Sequence, residues 1–130
     1  VASDIDAFQF YGDAGDRVII TAVATSGSLN TAIYLYPPDS GPSEADTAPW
    51  GDKLDHQLAQ TGLYTIVIED YQNDHEGTYN ITFLKIPGAV SSSGDPDGSA
   101  IASGETLSGT INVASDIDAF QFYGDAGDRV

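Results

Sequence analysis

The sequence predicts an all-β protein, a jelly-roll-like antiparallel β-sandwich. Three observations lead there. Six segments alternate apolar and polar residues with period two or form short β-rich runs. Turn-forming residues separate them, and no stretch carries a helical period. Asp outnumbers Glu sixteen to four; Asp favours turns and chelates hard cations, whereas Glu favours helices.

The first segment, Ala7 to Tyr11, places Phe8 and Phe10 on one face. Gly12-Asp13-Ala14-Gly15 then turns the chain into Arg17 to Ala24, where Val18, Ile20 and Ala22 oppose Ile19, Thr21 and Val23. After Ser26-Gly27, Thr31 to Tyr36 sets Ile33 and Leu35 against Tyr34 and Tyr36. Pro37-Pro38-Asp39 ends it. A short run, Lys53 to Leu58, carries Leu54 and Leu58. Gln60-Thr61-Gly62 leads to Leu63 to Glu69, with Tyr64, Ile66 and Ile68 on one side. Asn73-Asp74 turns into Thr78 to Leu84, with Tyr79, Ile81 and Phe83. Trp50, in the loop Thr47-Ala48-Pro49-Trp50-Gly51, is expected to plug a sandwich end or to make a contact between units.

A chain of 130 residues makes one domain, or one domain with part of another. The net charge of -16 repels phosphate backbones and anionic lipid, which argues against nucleic-acid binding and membrane adsorption. No apolar run approaches the roughly 20 residues of a membrane span. Cysteine and methionine are both absent, so disulfides and thiolate chemistry are excluded. That absence suits a chain exposed to oxidants outside a cell.

The organisation follows from an internal repeat. Val1 to Val18 reads VASDIDAFQFYGDAGDRV, and Val113 to Val130 reads the same, at an offset of 112 residues. Such identity points to a tandem array of nearly identical units. Residues 1–88 form the body. Residues 89–103, rich in Ser, Gly, Pro and Asp, form a linker. Residues 104–130 begin the next unit: Gly104 to Asn112 reads as a strand leading into the second copy. In this reading the body is without the strand that precedes Val1 in the array, and Gly104 to Asn112 supplies it to a neighbouring unit, head to tail, as a donated strand.

Read from Gly104, the unit has a recognisable pattern. Gly104-Glu105-Thr106-Leu107-Ser108-Gly109-Thr110 precedes Ser115-Asp116-Ile117-Asp118-Ala119-Phe120-Gln121-Phe122 and the Ala126-Gly127-Asp128 turn. Gly62-Leu63-Tyr64-Thr65-Ile66 and Gly77-Thr78-Tyr79-Asn80-Ile81 close it. This resembles the bacterial pre-peptidase C-terminal domain, a β-sandwich related to collagenase collagen-binding modules. The resemblance implies a non-catalytic accessory or surface-repeat domain of a secreted prokaryotic protein. It also implies calcium near the first strand, where Asp4 and Asp6, with their copies Asp116 and Asp118, match the family's acidic strand.

The residues themselves offer two calcium candidates. Asp4 and Asp6 share a strand face, and adjacent carboxylates repel unless a cation bridges them; they equally suit a solvated strand end that caps backbone N–H groups. Asp70, Asn73, Asp74 and Glu76 crowd one loop, as a hard-cation site or as an Asx-rich hairpin turn. Asp95-Pro96-Asp97-Gly98 opens like a calcium loop, but its twelfth position is Thr106, not the glutamate an EF-hand needs. The two histidines, His56 and His75, lie near acids in sequence, yet no Gly-x-Ser-x-Gly occurs, and no enzyme activity is expected. Tyr11, Tyr34, Tyr36, Tyr71 and Trp50 are candidates for a sugar- or peptide-binding platform, and Asn80-Ile81-Thr82 is a sequon for a glycan.

Together these readings give a structural repeat unit of an extracellular or cell-surface protein, with identical units as its partners. The alternative is a calcium-dependent carbohydrate- or protein-binding module of a secreted hydrolase. The charge alone sets one expectation. Self-repulsion falls as the Debye length shrinks from about 30 Å at 0.01 M salt to about 3 Å at 1 M. The melting temperature should therefore rise with NaCl over that range. A flat or falling midpoint would contradict it.

Overall fold

The computed structural model describes residues 4–88, 100–108, 111 and 118–129. Seven strands make up residues 4–88: β1 (Ile5–Gly12), β2 (Arg17–Gly27), β3 (Thr31–Tyr36), β4 (Ala45–Asp46), β5 (Lys53–Gln57), β6 (Gly62–Asp70) and β7 (Gly77–Ile86). They form two antiparallel sheets, ordered β1-β6-β3-β4 and β5-β2-β7. The predicted all-β sandwich is the fold. All six strands expected within residues 1–88 are present; only the two-residue β4, too short to show a period, is additional. Among the described residues no helix is long and apolar enough to cross a membrane.

The core is the inner face of each strand, as period two dictates. Val18, Ile20 and Ala22 of β2 meet Ile33 and Leu35 of β3 and Tyr64, Ile66 and Ile68 of β6, with Leu54 and Leu58 at one side. Phe10, Tyr79 and Ile81 pack against this cluster partly buried. β2 is buried on its other face too, at Arg17, Ile19 and Thr21. There Arg17 donates through Nε to Asp55 Oδ1 at 2.7 Å, the second guanidinium nitrogen bonding the other oxygen. A bidentate, charge-assisted pair satisfies a guanidinium that is only 2% exposed.

β1 stacks over β7. Phe10 lies 4.6 Å, centroid to centroid, from Phe83 and 5.5 Å from Tyr64. On the opposite side, β4 and β5 are joined through Glu44, which accepts from the Ala59 amide at 2.9 Å, meets His56 Nε2 at 2.8 Å and lies 3.2 Å from the Tyr64 hydroxyl. Asp16 fastens the β1–β2 turn to the end of β7: it accepts from the Asp13 and Gly88 amides and from Lys85 Nζ, each at 3.1 Å.

The two copies of the repeated sequence fold differently. Residues Ile5–Gly12 are a strand paired along β6. Residues 118–124, the copy of 6–12, are in no strand. The turn after them is the same in both places. Asp13 and Asp16 exchange an amide-to-carboxylate bond at 3.1 Å and an amide-to-carbonyl bond at 3.0 Å; Asp125 and Asp128 do so at 2.8 and 2.9 Å. Gly15 and Gly127 take φ of 95° and 104°, the left-handed region such a turn needs. The strand expected over Gly104 to Asn112 is likewise absent at Gly104–Ser108 and Ile111, because no sheet edge pairs with it; Gly109, Thr110 and Asn112 lie outside the described residues. The second copy rests against the body, with Asp118 buried and Gln121 Nε2 donating to Pro87 O at 3.3 Å.

Where β2 and β7 finish their ladder, Gly27 faces Gly77. A Cβ on Gly77 would stand 2.2 Å from Ser26 O, and one on Gly27 2.0 Å from Glu76 O. The strand backbones are too close there for any side chain. Gly77→Ala should therefore cost about 1–3 kcal/mol and lower Tm by at least about 4 °C. An unchanged thermal melt would contradict this close approach.

Candidate functional site

Asp70 continues the alternation that buries Tyr64, Ile66 and Ile68, so β6 delivers a carboxylate to the core face at the sheet's end. Its surroundings satisfy it. Oδ1 accepts from the Asn30 amide at 2.8 Å; Oδ2 accepts from the amides of Asp74 at 3.1 Å and His75 at 3.2 Å. Its carbonyl accepts from the Asn73 amide at 3.0 Å, and Asn73 takes a left-handed φ of 56°. The loop is thus an Asx-organised turn held by one aspartate. Burial raises the Asp70 carboxyl, but the three amides lower it, and the balance leaves it below the ordinary carboxylate range.

The two acidic groups separate in sequence meet in space. Asp4, Asp6, Asp70, Asn73, His75, Glu76 and Tyr79 line one cavity of about 510 Å³ between β1, β6 and β7. Tyr79 donates to Asp6 Oδ2 at 2.6 Å, and burial, then the Asp6 bond, pushes its hydroxyl well above the usual range. Asp74 joins through His75: Nδ1 is 2.7 Å from Asp74 Oδ1 and 3.6 Å from Asp70 Oδ2. These three residues bring donor atoms within 4.8 Å of one another. His75 Nδ1 is buried, with the Asp74 carboxylate as its near neighbour. His75 is therefore part of a site for which only the flanking acids stood out in the sequence.

The pocket's oxygens fit a hard cation such as calcium in kind, while the imidazole nitrogen suits borderline metals instead. Asp70 has turned most of its lone pairs to amides. Asp118, the copy of Asp6, is buried in the second copy and does not line this cavity. Asp116 and the Asp95-Pro96-Asp97-Gly98 segment lie outside the described residues.

Other expectations need correction. His56 meets Glu44, while its strand neighbour Asp55 faces Arg17, because adjacent strand residues point to opposite faces. Trp50 does not plug the sandwich. It is 63% exposed and meets Tyr71 edge-on at 6.3 Å. Tyr34 is half-buried, its hydroxyl pushed up to about 12 by burial and then by Glu69. The aromatic candidates thus form no shared platform beyond the Trp50–Tyr71 pair. Asn80 is exposed on β7.

No protein-family model, no curated protein and no solved structure matches the chain.

The Asp70 turn makes two predictions. Asp70→Ala strands three amides and should cost about 1–3 kcal/mol by chemical denaturation. Because the folded-state pKa of Asp70 is depressed, its stabilisation is present above the unfolded value of about 3.9 and is lost as pH falls through the lower folded value. Asp16 is lowered in the same sense: burial opposes, and the Asp13 and Gly88 amides and Lys85 prevail. Tm should fall on acidification below about pH 4, less steeply in Asp70→Ala than in the parent. Parallel pH profiles for the two would contradict this assignment.

Proposed function

We propose that the chain is a structural repeat unit of a secreted tandem-repeat surface protein or extracellular filament, associating head to tail with identical units. One observation carries this reading: the same residues are a paired strand in the body and an unpaired segment 112 residues later. A segment that pairs along β6 in the body and is in no strand in its second copy is suited to pair with the β6 of a next body. The resemblance to pre-peptidase C-terminal domains supports the same placement outside the cell, in a prokaryote, without catalysis. A donated strand is the proposed link, consistent with Thr106–Ser108 and Ile111 pairing with no strand of their own body.

Chains of one, two and three 112-residue periods test this. Their maximum dimension by small-angle X-ray scattering should grow in equal steps, and end-to-end oligomers should appear as concentration rises in sedimentation experiments. A length that does not grow, together with saturable binding of a glycan or collagen peptide to one period, would instead favour the ligand-binding module of a secreted hydrolase.

A second reading concerns the cavity between β1, β6 and β7. The carboxylates of Asp4 and Asp6 line this cavity together with those of Asp70 and Glu76, and like charges so gathered favour a shared cation. We propose that calcium is held there by Asp4, Asp6, Asp70, Asn73, Asp74 and Glu76. Binding to the folded state alone at a hundred times Kd would add about 2.7 kcal/mol. Melting in calcium and in chelator should then differ by several degrees; coincident curves at low salt would contradict it.

A further inference from the structure

The sandwich is closed on one side and open on the other. On the β4–β5 side, Glu44 ties both sheets together. On the β1–β7 side, β1 has only β6 as a neighbour and β7 only β2, so each presents an unpaired edge among the described residues. The side chains beside those edges are core side chains by position. Phe8 is opposite Ile66, and Phe83 opposite Ile20, in registers whose other members are buried. Yet Phe8 and Phe83 are each 40% exposed. Two partly exposed phenylalanines on inner faces, beside two open edges, leave apolar surface that one further strand would cover.

We propose, building on the repeat-unit reading, that this surface takes the segment carrying Leu107 and Ile111 from the preceding copy of the same period. The sequence there alternates Leu107, Gly109, Ile111 against Thr106, Ser108, Thr110. A strand with that period turns two branched apolar side chains inward, with a glycine between them where phenylalanines already fill space. Of its described residues, Leu107 and Ile111 are each 45% exposed and lie in no strand.

The order of the repeat selects which body is served. Ile111 is six residues from Ile117, the copy of Ile5 where β1 begins. Six residues span about 20 Å at most, and stacked sheets lie about 10 Å apart, so the link from this surface to β1 is short and direct. It gives the highest effective concentration to the body that uses Val113–Val130 as its β1, the following one. The carrying body sits twenty-one residues away, counting from Ile86 to Leu107. Each period thereby hands its last strand to the next.

The absence of cysteine makes the test clean. The chain is extended so that residues 113–130 run on through a second full period. Leu107→Cys is combined either with Phe83→Cys in the first body or with a cysteine at the counterpart of Phe83 in the second, and the chain is mildly oxidised at low concentration. The second pairing should cross-link most of the chain, and the first little of it. Because the variants perturb packing, a second measurement uses Leu107→Asp in the extended chain: the following body should lose several degrees of Tm while the first is unchanged. Cross-linking to Phe83→Cys of the first body, or no cross-link with no selective loss of Tm, overturns the proposal. If overturned while scattering length still grows with the number of periods, the repeat-unit reading stands and only this seat is wrong. If the length does not grow, the repeat-unit reading itself fails.

Discussion

A β-strand cannot satisfy its own backbone; half its hydrogen bonds must come from a neighbour. That requirement governs this molecule. Ile5–Gly12 is a strand because β6 lends it an edge. The identical residues at 118–124 have no such edge, since β6 is already flanked by β1 and β3, and they are not a strand. The tight turn that follows needs no neighbour. Its aspartate side chain and left-handed glycine complete it locally, and it forms in both copies. One sequence thus separates what is locally encoded from what tertiary context confers.

The same requirement explains where the stabilising polar groups sit. Asp16, Glu44 and Asp70 each stand where a strand ends and backbone amides would otherwise face the interior. All three are mostly buried acids in a chain of net charge -16, and each is held by amides, hydroxyls or a cation. The surface keeps its charge, while its buried part is neutralised by geometry. On the side where β1 and β7 have open edges among the described residues, part of Phe8 and Phe83 stays exposed.

Much of this was legible in the sequence. Period two placed Val18, Ile20, Ala22, Tyr64, Ile66 and Ile68 on the inner faces, where they are buried. The acidic groups at Asp4-Asp6 and Asp70-Glu76 stood out, but their convergence on one cavity depends on β1 pairing with β6, a contact some sixty residues apart in sequence. Asp70 continued the inner-face period of β6, a signal for its burial and for the Asx turn it holds. The Glu44–His56 contact had no sequence signal, because it joins the loop before a two-residue strand to β5 through side chains alone. Of the two places expected for Trp50, the sandwich end is not the one it takes, because an aromatic in a loop can cover a core or lean on another aromatic, and spacing does not distinguish the two.

The first strand of the body depends on the β6 edge that pairs with it. The claim beneath this is that edge availability, not sequence, makes the strand. Native-state amide hydrogen exchange on the chain tests it most directly, by comparing the β6-facing amides of Ile5–Gly12 with the same amides in the second copy. The account predicts strong protection in the first and exchange close to that of an open chain over Asp118–Gly124. Equal protection in both copies would contradict it.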